Sequence, residues 1–280
     1  MPEYKNKNKE SNLKLSIHVY VNGLSFFTHN QKTNKASQIY RAVFDAYVPV
    51  ENLHEHIRAA LKTHGMLEQA YNEVRCSVEN NLATLVPKSL FEEAALHEYV
   101  QKDIDVKPND FITYDVEPST DWICVYAPFV NVNNMLLDAF GSFSYYHAVS
   151  VWLSALSHHS AADGAFVWSL YKEQDHLHIA LLRDKKLQFY NCFEASKAKD
   201  VVYYVLLTAK EKNISPNEVP LFIAGDIAID DEIYKELHEF VRSINPLTVE
   251  NDLEHVVPRI STHQDFCLLN LFYCDLLLAH

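Results

Sequence analysis

At 280 residues the chain exceeds a typical domain of about 100–150 residues, which argues for two lobes, and its 48% hydrophobic content is ample for a core. A formal charge of −13 argues against the basic face by which nucleic acids and anionic membranes are held. The basic candidates, Lys5, Lys7 and Lys9 in a polar start and Arg183, Lys185 and Lys186 at a strand junction, are too few to supply one. Gly23, Gly65, Gly141, Gly164 and Gly225 stand apart, so no glycine-rich loop is available to cradle a phosphate.

Residues Met1 to Asn12 read as a disordered polar tail without the apolar run of a secretory signal. In Leu15 to Val21 the odd positions are apolar, the period of a strand with one buried face. Asn22-Gly23 predicts a hairpin turn, Leu24 to His29 the returning strand, Gln31 to Lys35 a polar loop and Ile39 to Val48 a third strand. A helix is expected from Glu51 to Thr63, with Leu53, Ile57, Ala60 and Leu61 on one stripe and Gly65 past its end. Glu73 to Val78 and Leu82 to Val86 read as strands. Ser89 would cap a helix through Gln101, with Glu92 completing a capping box. Phe111 to Val116 and Trp122 to Ala127 are further strands, followed by a helix over Val132 to Ala139, a strand over Phe143 to His147 and a helix through Ser157.

The pattern then starts again beyond a polar boundary at His158 to Gly164. Phe166 to Tyr171, His176 to Leu182 and Leu187 to Phe193 are three strands, the first two joined near Gln174-Asp175. Ser196 is placed to cap a helix over Lys197 to Lys212, Pro220 to Ala224 fits a buried central strand, and Asp230 opens a helix to Ile244. Gln264 to Ala279 reads as an apolar terminal helix. It contains Asn270 and Asp275 and falls short of the roughly 20 residues of a membrane span. Cys76, Cys124, Cys192, Cys267 and Cys274 form no CxxC pair, which fits reduced thiols and a soluble, cytoplasmic chain.

Three antiparallel strands, a helix, a strand and a helix, present twice, resemble the duplicated ribonuclease-H-like layout of actin-like ATPases, the actin, sugar kinase and Hsp70 group with its pilus-assembly relatives. From Leu13 to His280 the chain also resembles a bacterial group, domain of unknown function family 3822. That resemblance is carried by Leu15-Ser16-Ile17, Asn22-Gly23-Leu24-Ser25-Phe26, the helix start at His147-Ala148, Phe222-Ile223-Ala224-Gly225 and the apolar segment around Cys274. It implies an actin-like fold and no particular function.

Set against that resemblance, the phosphate machinery is missing. An actin-like ATPase carries an Asp in its first strand and a Gly-Ser or Gly-Thr turn after it. Here no carboxylate stands between Lys14 and the turn, the second hairpin lacks Gly, and Ala224-Gly225-Asp226 has one Gly where the adenosine turn needs a pair. A two-metal nuclease would need a carboxylate in the first strand of each lobe, which is absent, and Glu173 reads as a solvated turn residue. His176 and His178 share a strand face that reads as solvent-facing; His158 and His159 precede the boundary; His54 and His56 lie two apart on a helix and cannot face one ligand. Cys124 and Cys192 read as small core residues, and no Gly-x-Ser-x-Gly elbow occurs.

The expectation is therefore an α/β chain with a duplicated ribonuclease-H-like, actin-like ATPase fold, two lobes and mixed sheets. Residues 1–12 are the tail, 13–160 the first lobe with an inserted strand-helix segment, 161–263 the second lobe, and 264–280 a terminal helix packing back on the first. The expected role is a non-catalytic scaffold or assembly protein acting through a protein partner, with no cofactor, metal or nucleic acid. The alternative is ATP or another small ligand, and with it an enzymatic role, in the cleft between lobes. The cleft candidates are Asn22, Gly23, Ser25, Gly225 and Asp226.

Overall fold

The computed structural model describes residues 11–44, 48–101, 106, 111–118, 120–159, 164–249, 262–272 and 277–278. A hairpin of β1 (Leu13–Tyr20) and β2 (Gly23–Asn30) begins the first sheet, and the outer side of β2 takes β3 (Lys35–Ala36) and β4 (Tyr40–Val43). After helix α1 (Leu53–Thr63), β5 (Glu73–Val78) adds in parallel to β1. An insertion follows: β6 (Ala83–Pro87), α2 (Leu96–Val100), β7 (Thr113–Val116) and β8 (Trp122–Tyr126). Helix α3 (Val130–Phe140) then leads to β9 (Ser144–His147), parallel to β5, and on to α4 (Ala148–His158).

The second sheet repeats this plan. β10 (Phe166–Glu173) and β11 (His176–Arg183) form a hairpin, β12 (Lys186–Glu194) pairs with β11, and α5 (Ala198–Glu211) crosses to β13 (Leu221–Gly225), parallel to β10. Helix α6 (Glu232–His238) leads to β14 (Ile244–Pro246), parallel to β13, and α7 (Phe266–Leu271) follows. The strand orders β4-β2-β1-β5-β9 and β12-β11-β10-β13-β14 agree position by position and in direction, so the ribonuclease-H-like unit occurs twice. The pair β15 (Leu277–Leu278) and β7 closes a third sheet, ordered β15-β7-β8-β6, over its own apolar cluster of Val86, Val100, Ile123 and Val125.

Several local expectations need correction. Tyr20 pairs with Gly23, so the first turn is Val21-Asn22, one residue early. Gly23 is needed there for space: a Cβ would sit 2.4 Å from the Ala42 carbonyl and 2.6 Å from the Tyr20 ring. The third strand is confined to Tyr40–Val43, and residues 45–47 of the expected strand lie outside the described residues. Ser89 caps no helix, because Phe91 and Glu92 are extended. The Tyr99 hydroxyl donates to the Leu90 carbonyl and accepts from the Glu92 N–H, which satisfies backbone groups that a helix would have used. Helix α5 is capped by Lys197, whose N–H donates to Asp200, and α6 by Asp231, whose carboxylate accepts from the Tyr234 N–H at 2.7 Å. Helix α6 ends at His238 because Ile244 is needed for the edge strand β14. Among the described residues the terminal segment is helical over Phe266–Leu271, and Leu277–Leu278 is a strand on β7; residues 273–276 and 279–280 lie outside the described residues.

The main core joins both sheets. Leu15, Ile17 and Val19 pack with Leu53, Ile57 and Leu61 of α1, while Trp152 of α4 and Leu268 and Leu269 of α7 belong to the same cluster as Tyr171 and Leu182 of the second sheet. A separate cluster, with Trp168, Leu170, Val201, Val205 and Leu237, fills the space between the second sheet and α5 and α6. The alternation in β1 does not mark one wet face, since Ser16, His18 and Tyr20 on the opposite face are 3%, 4% and 6% exposed. That polar face is buried because α7 packs on β1 and Tyr171 of β10 meets His18, and the site is built there.

Candidate functional site

His18 in β1 pairs in register with Ser77 in β5, and the His18 Nδ1 to Ser77 Oγ distance is 2.9 Å. Tyr171 and Glu173, two apart on β10, project from one face toward them. The Tyr171 hydroxyl is 3.3 Å from His18 Nε2 and donates to Glu173 Oε2 at 3.2 Å; His18 Nε2 lies 3.6 Å from that same oxygen. Glu173 is thus a buried carboxylate and not the solvated turn residue that its sequence position suggested, because the first sheet covers the end of β10. Burial pushes its pKa up, the neighbouring His18 imidazole works against that, and the nearby charge of Asp226 adds to the rise.

The two hairpin turns meet over this group. Gln174, in the second turn, donates from Nε2 to Oδ1 of Asn22 in the first. Beside them Arg41 from β4 donates to Asp265 Oδ1 at 2.6 Å, just before α7. A cavity of about 140 Å³ remains beneath, lined among others by His18, Tyr20, Ser25, Glu173, Asp226 and Asp265.

Of the five sequence candidates, Asn22, Ser25 and Asp226 line this cavity together. Gly23 and Gly225 stand behind it as packing residues. Gly225 has φ +83°, and a Cβ there would lie 1.9 Å from the Lys172 carbonyl. Its N–H donates to the His263 carbonyl at 2.8 Å, and the Asp226 N–H donates to the Lys172 carbonyl at 2.7 Å. This glycine lets two strands and a returning segment meet closely.

A second polar contact between the sheets was missed in the sequence. Glu79, directly after β5, accepts from His178 Nε2 at 2.9 Å and lies 3.5 Å from His176 Nδ1. His176 and His178 do share a face, but it is the covered one, because α4 and Glu79, which follows β5, lie against it. The Tyr190 hydroxyl reaches His178 Nδ1 at 3.0 Å and Cys192 Sγ lies 3.9 Å from Nε2, so Cys192 borders a charged group and is not a plain core residue. Burial works to lower the His178 pKa, and the Glu79 carboxylate and Cys192 outweigh it, raising it to about 10. Burial works to raise Glu79, and the charge of His178 with hydrogen bonds from His176 and His178 holds it well below the usual carboxylate range. The only hint in the sequence was a carboxylate at the end of an apolar strand, Val78-Glu79-Asn80.

Burial lifts Asp115 to about 7 despite hydrogen bonds from the His147 N–H and Tyr126, and burial lowers His147 to about 4 despite the charge of Glu79. Among the described residues no three His, Cys, Asp or Glu side chains come together as metal ligands. No described helix is long and apolar enough to cross a membrane. Chemically, the cleft offers an acidic, hydrogen-bonded surface whose one guanidinium, Arg41, is engaged by Asp265.

No curated protein matches this chain in sequence. A solved structure from Bacteroides thetaiotaomicron, of actin-like ATPase fold and unknown function, is similar with a TM-score of 0.80 at 16% identity, covering 95% of this chain and 97% of that one. A structure from a PilM-PilN type IV pilus biogenesis complex is similar with a TM-score of 0.53 at 11% identity, covering 92% and 98%. These likenesses, together with the twice-repeated strand order, give the fold as that of the actin-like ATPases. The family model for DUF3822, a protein of unknown function, matches residues 2–244, and the chain belongs to that family.

Proposed function

We propose that this chain is an actin-like protein without a working nucleotide site, acting as a scaffold or assembly factor through protein partners. The cleft carries the reading. Ligand pockets for drug-sized molecules are commonly about 300–1,000 Å³, and the cavity here is about 140 Å³. The hydrogen-bonded pair Gln174–Asn22 is part of its lining, and Glu173, Asp226 and Asp265 make it acidic. A carboxylate 4 Å from a phosphate charge costs about 4 kcal/mol at an effective dielectric of about 20, so a triphosphate has neither the room nor the charge it requires. The same reading divides the chain near residue 160 into a first lobe with the inserted sheet and a second lobe, with the segment from 264 returning to the first. A similar fold in a pilus biogenesis complex fits a role in protein assembly.

The runner-up is a small-ligand site in the same cavity, favoured by the convergence there of Asn22, Ser25 and Asp226. A thermal melt with millimolar Mg-ATP, paired with calorimetric titration, separates the two. A ligand that binds only the folded state, at a hundred times its Kd, stabilises by about 2.7 kcal/mol. The expected result is no shift and no heat; a reproducible upward shift with matching heat overturns the proposal.

A further inference from the structure

The second opening between the sheets is larger than the cleft and of a different kind. Strand β6 ends the inserted sheet and β12 ends the second sheet, and among the described residues no strand pairs with the outer side of either. The two edges line one groove of about 750 Å³, with Ala83, Thr84 and Leu85 on one wall and Tyr190, Asn191 and Cys192 on the other. An edge strand presents unpaired N–H and C=O groups and is a ready template for another strand. On β12 one such group is covered by the chain itself, since the Cys192 N–H donates to Oδ1 of Asn191 at 2.9 Å. A side-chain amide covering an edge N–H is a stand-in that an incoming carbonyl replaces.

Edge protection on β12 is confined to its start. Lys185 and Lys186 stand there, and the pairing with β11 shifts register between Leu181 and Leu182, which leaves Gln188 unpaired. Bulges and lysines are the usual devices that keep edges from pairing. From Phe189 to Glu194 neither is present, and this is the part of the strand that carries Tyr190, Asn191 and Cys192 in the groove. On that wall Tyr190 is hydrogen-bonded to His178 and so linked to the Glu79 pair.

We propose that this groove binds an extended, basic peptide segment of a partner protein by strand addition between β6 and β12. The inference rests on the partner reading above and names the partner's chemistry. Extension follows from two strand edges facing one space, where main-chain hydrogen bonds supply affinity. About six residues at roughly 3.4 Å each cover Phe189 to Glu194. Basic character follows from charge: Asp175 and Glu194 line the groove, no Lys or Arg does, and the chain as a whole carries −13.

The test uses the full chain and a fluorescent nonapeptide of alternating Val and Lys, followed by anisotropy and by hydrogen exchange. Two control peptides accompany it, one N-methylated at alternate backbone nitrogens and one with Glu for Lys. The lysine peptide should bind and slow exchange in 83–87 and 189–194, while both controls bind at least tenfold more weakly. The Asn191→Lys chain, altered at an exposed position, should keep its melting temperature and lose at least tenfold in affinity for the lysine peptide. No binding of that peptide, binding undiminished by N-methylation, or protection confined to other segments overturns the proposal. Its failure is distinguishable from failure of the wider reading: a Mg-ATP shift would sink the scaffold role whatever the peptide does, whereas a silent peptide with a silent Mg-ATP melt removes only this groove.

Discussion

Glu79 and His178 form an ion pair of 2.9 Å across the contact between the two sheets, and each side chain is only 1% exposed. A buried pair of this kind is costly to break from one side, because the remaining charge is left without its partner in a low-dielectric place. The pair ties the end of β5 to β11, so it reports directly on whether the sheets stay docked.

Glu79→Ala should therefore destabilise the protein by about 3–5 kcal/mol, the usual cost of leaving one buried charge alone. The double substitution Glu79→Leu with His178→Leu should cost less, since both charges go, although the Tyr190 hydroxyl loses its partner. Urea denaturation of Glu79→Leu, His178→Leu and the double closes a mutant cycle. Single variants within 1 kcal/mol of wild type, on the scale of an exposed pair, would show that the pair is not buried as described.

The pair also sets a pH dependence. His178 is raised from 6.5 to about 10, so between those values the folded state holds a proton that the unfolded state has released. Its contribution is fully present below about 6.5 and is lost as pH rises toward 10, with a slope of at most about 1.4 kcal/mol per pH unit. Glu79, being depressed, loses its contribution only as pH falls through the acid range. Urea midpoints should decline from pH 7 to pH 10 in the wild type and flatten over that range in His178→Gln.

Asp115 acts in the adjoining window. Burial raises it from 3.8 to about 7, so its contribution is present below 3.8 and is lost as pH rises through 7. Asp115→Asn, which cannot ionise, should remove a decline in stability between pH 4 and 7 that the wild type shows. An unchanged slope would mean that Asp115 ionises in the fold as readily as in water.

Of the four positive-φ glycines, Gly65 and Gly225 should respond differently to alanine. At Gly65, with φ +69° and no neighbouring atom closer than 4.0 Å, only the left-handed backbone is penalised, about 1–2 kcal/mol. At Gly225 the Cβ also meets the Lys172 backbone, and overpacking adds about 1–3 kcal/mol. Gly225→Ala should thus be the worse variant by chemical denaturation; equal losses would mean that β10 and β13 have room to part.

Helix α7 is short but central. Leu269 is fully buried in the main core, and Leu269→Ala should cost about 2–5 kcal/mol, measured by urea denaturation. A loss under 1 kcal/mol would place α7 outside the cooperative core.

Local chemistry alone determined most of the element list. Alternation located both hairpins, the run Pro220 to Ala224 located the central strand β13, and the stripe Leu53, Ile57, Leu61 located α1, because each depends on neighbours within a few residues. The duplication was legible for the same reason, since the two units repeat one local order. What the sequence left open depends on partners far along the chain. His18 looked solvent-facing because the side chains that cover it, Tyr171 and Glu173, belong to β10; Glu173 and His178 looked wet because β1 and Glu79 arrive from the other sheet. The start of the expected helix at Ser89 was overridden by a tyrosine hydroxyl, and Leu277–Leu278 became a strand because β7 had a free edge. Periodicity states which residues share a face; only the docking of two sheets decided which polar face was taken out of water, and so where the cleft, its carboxylates and the groove came to lie.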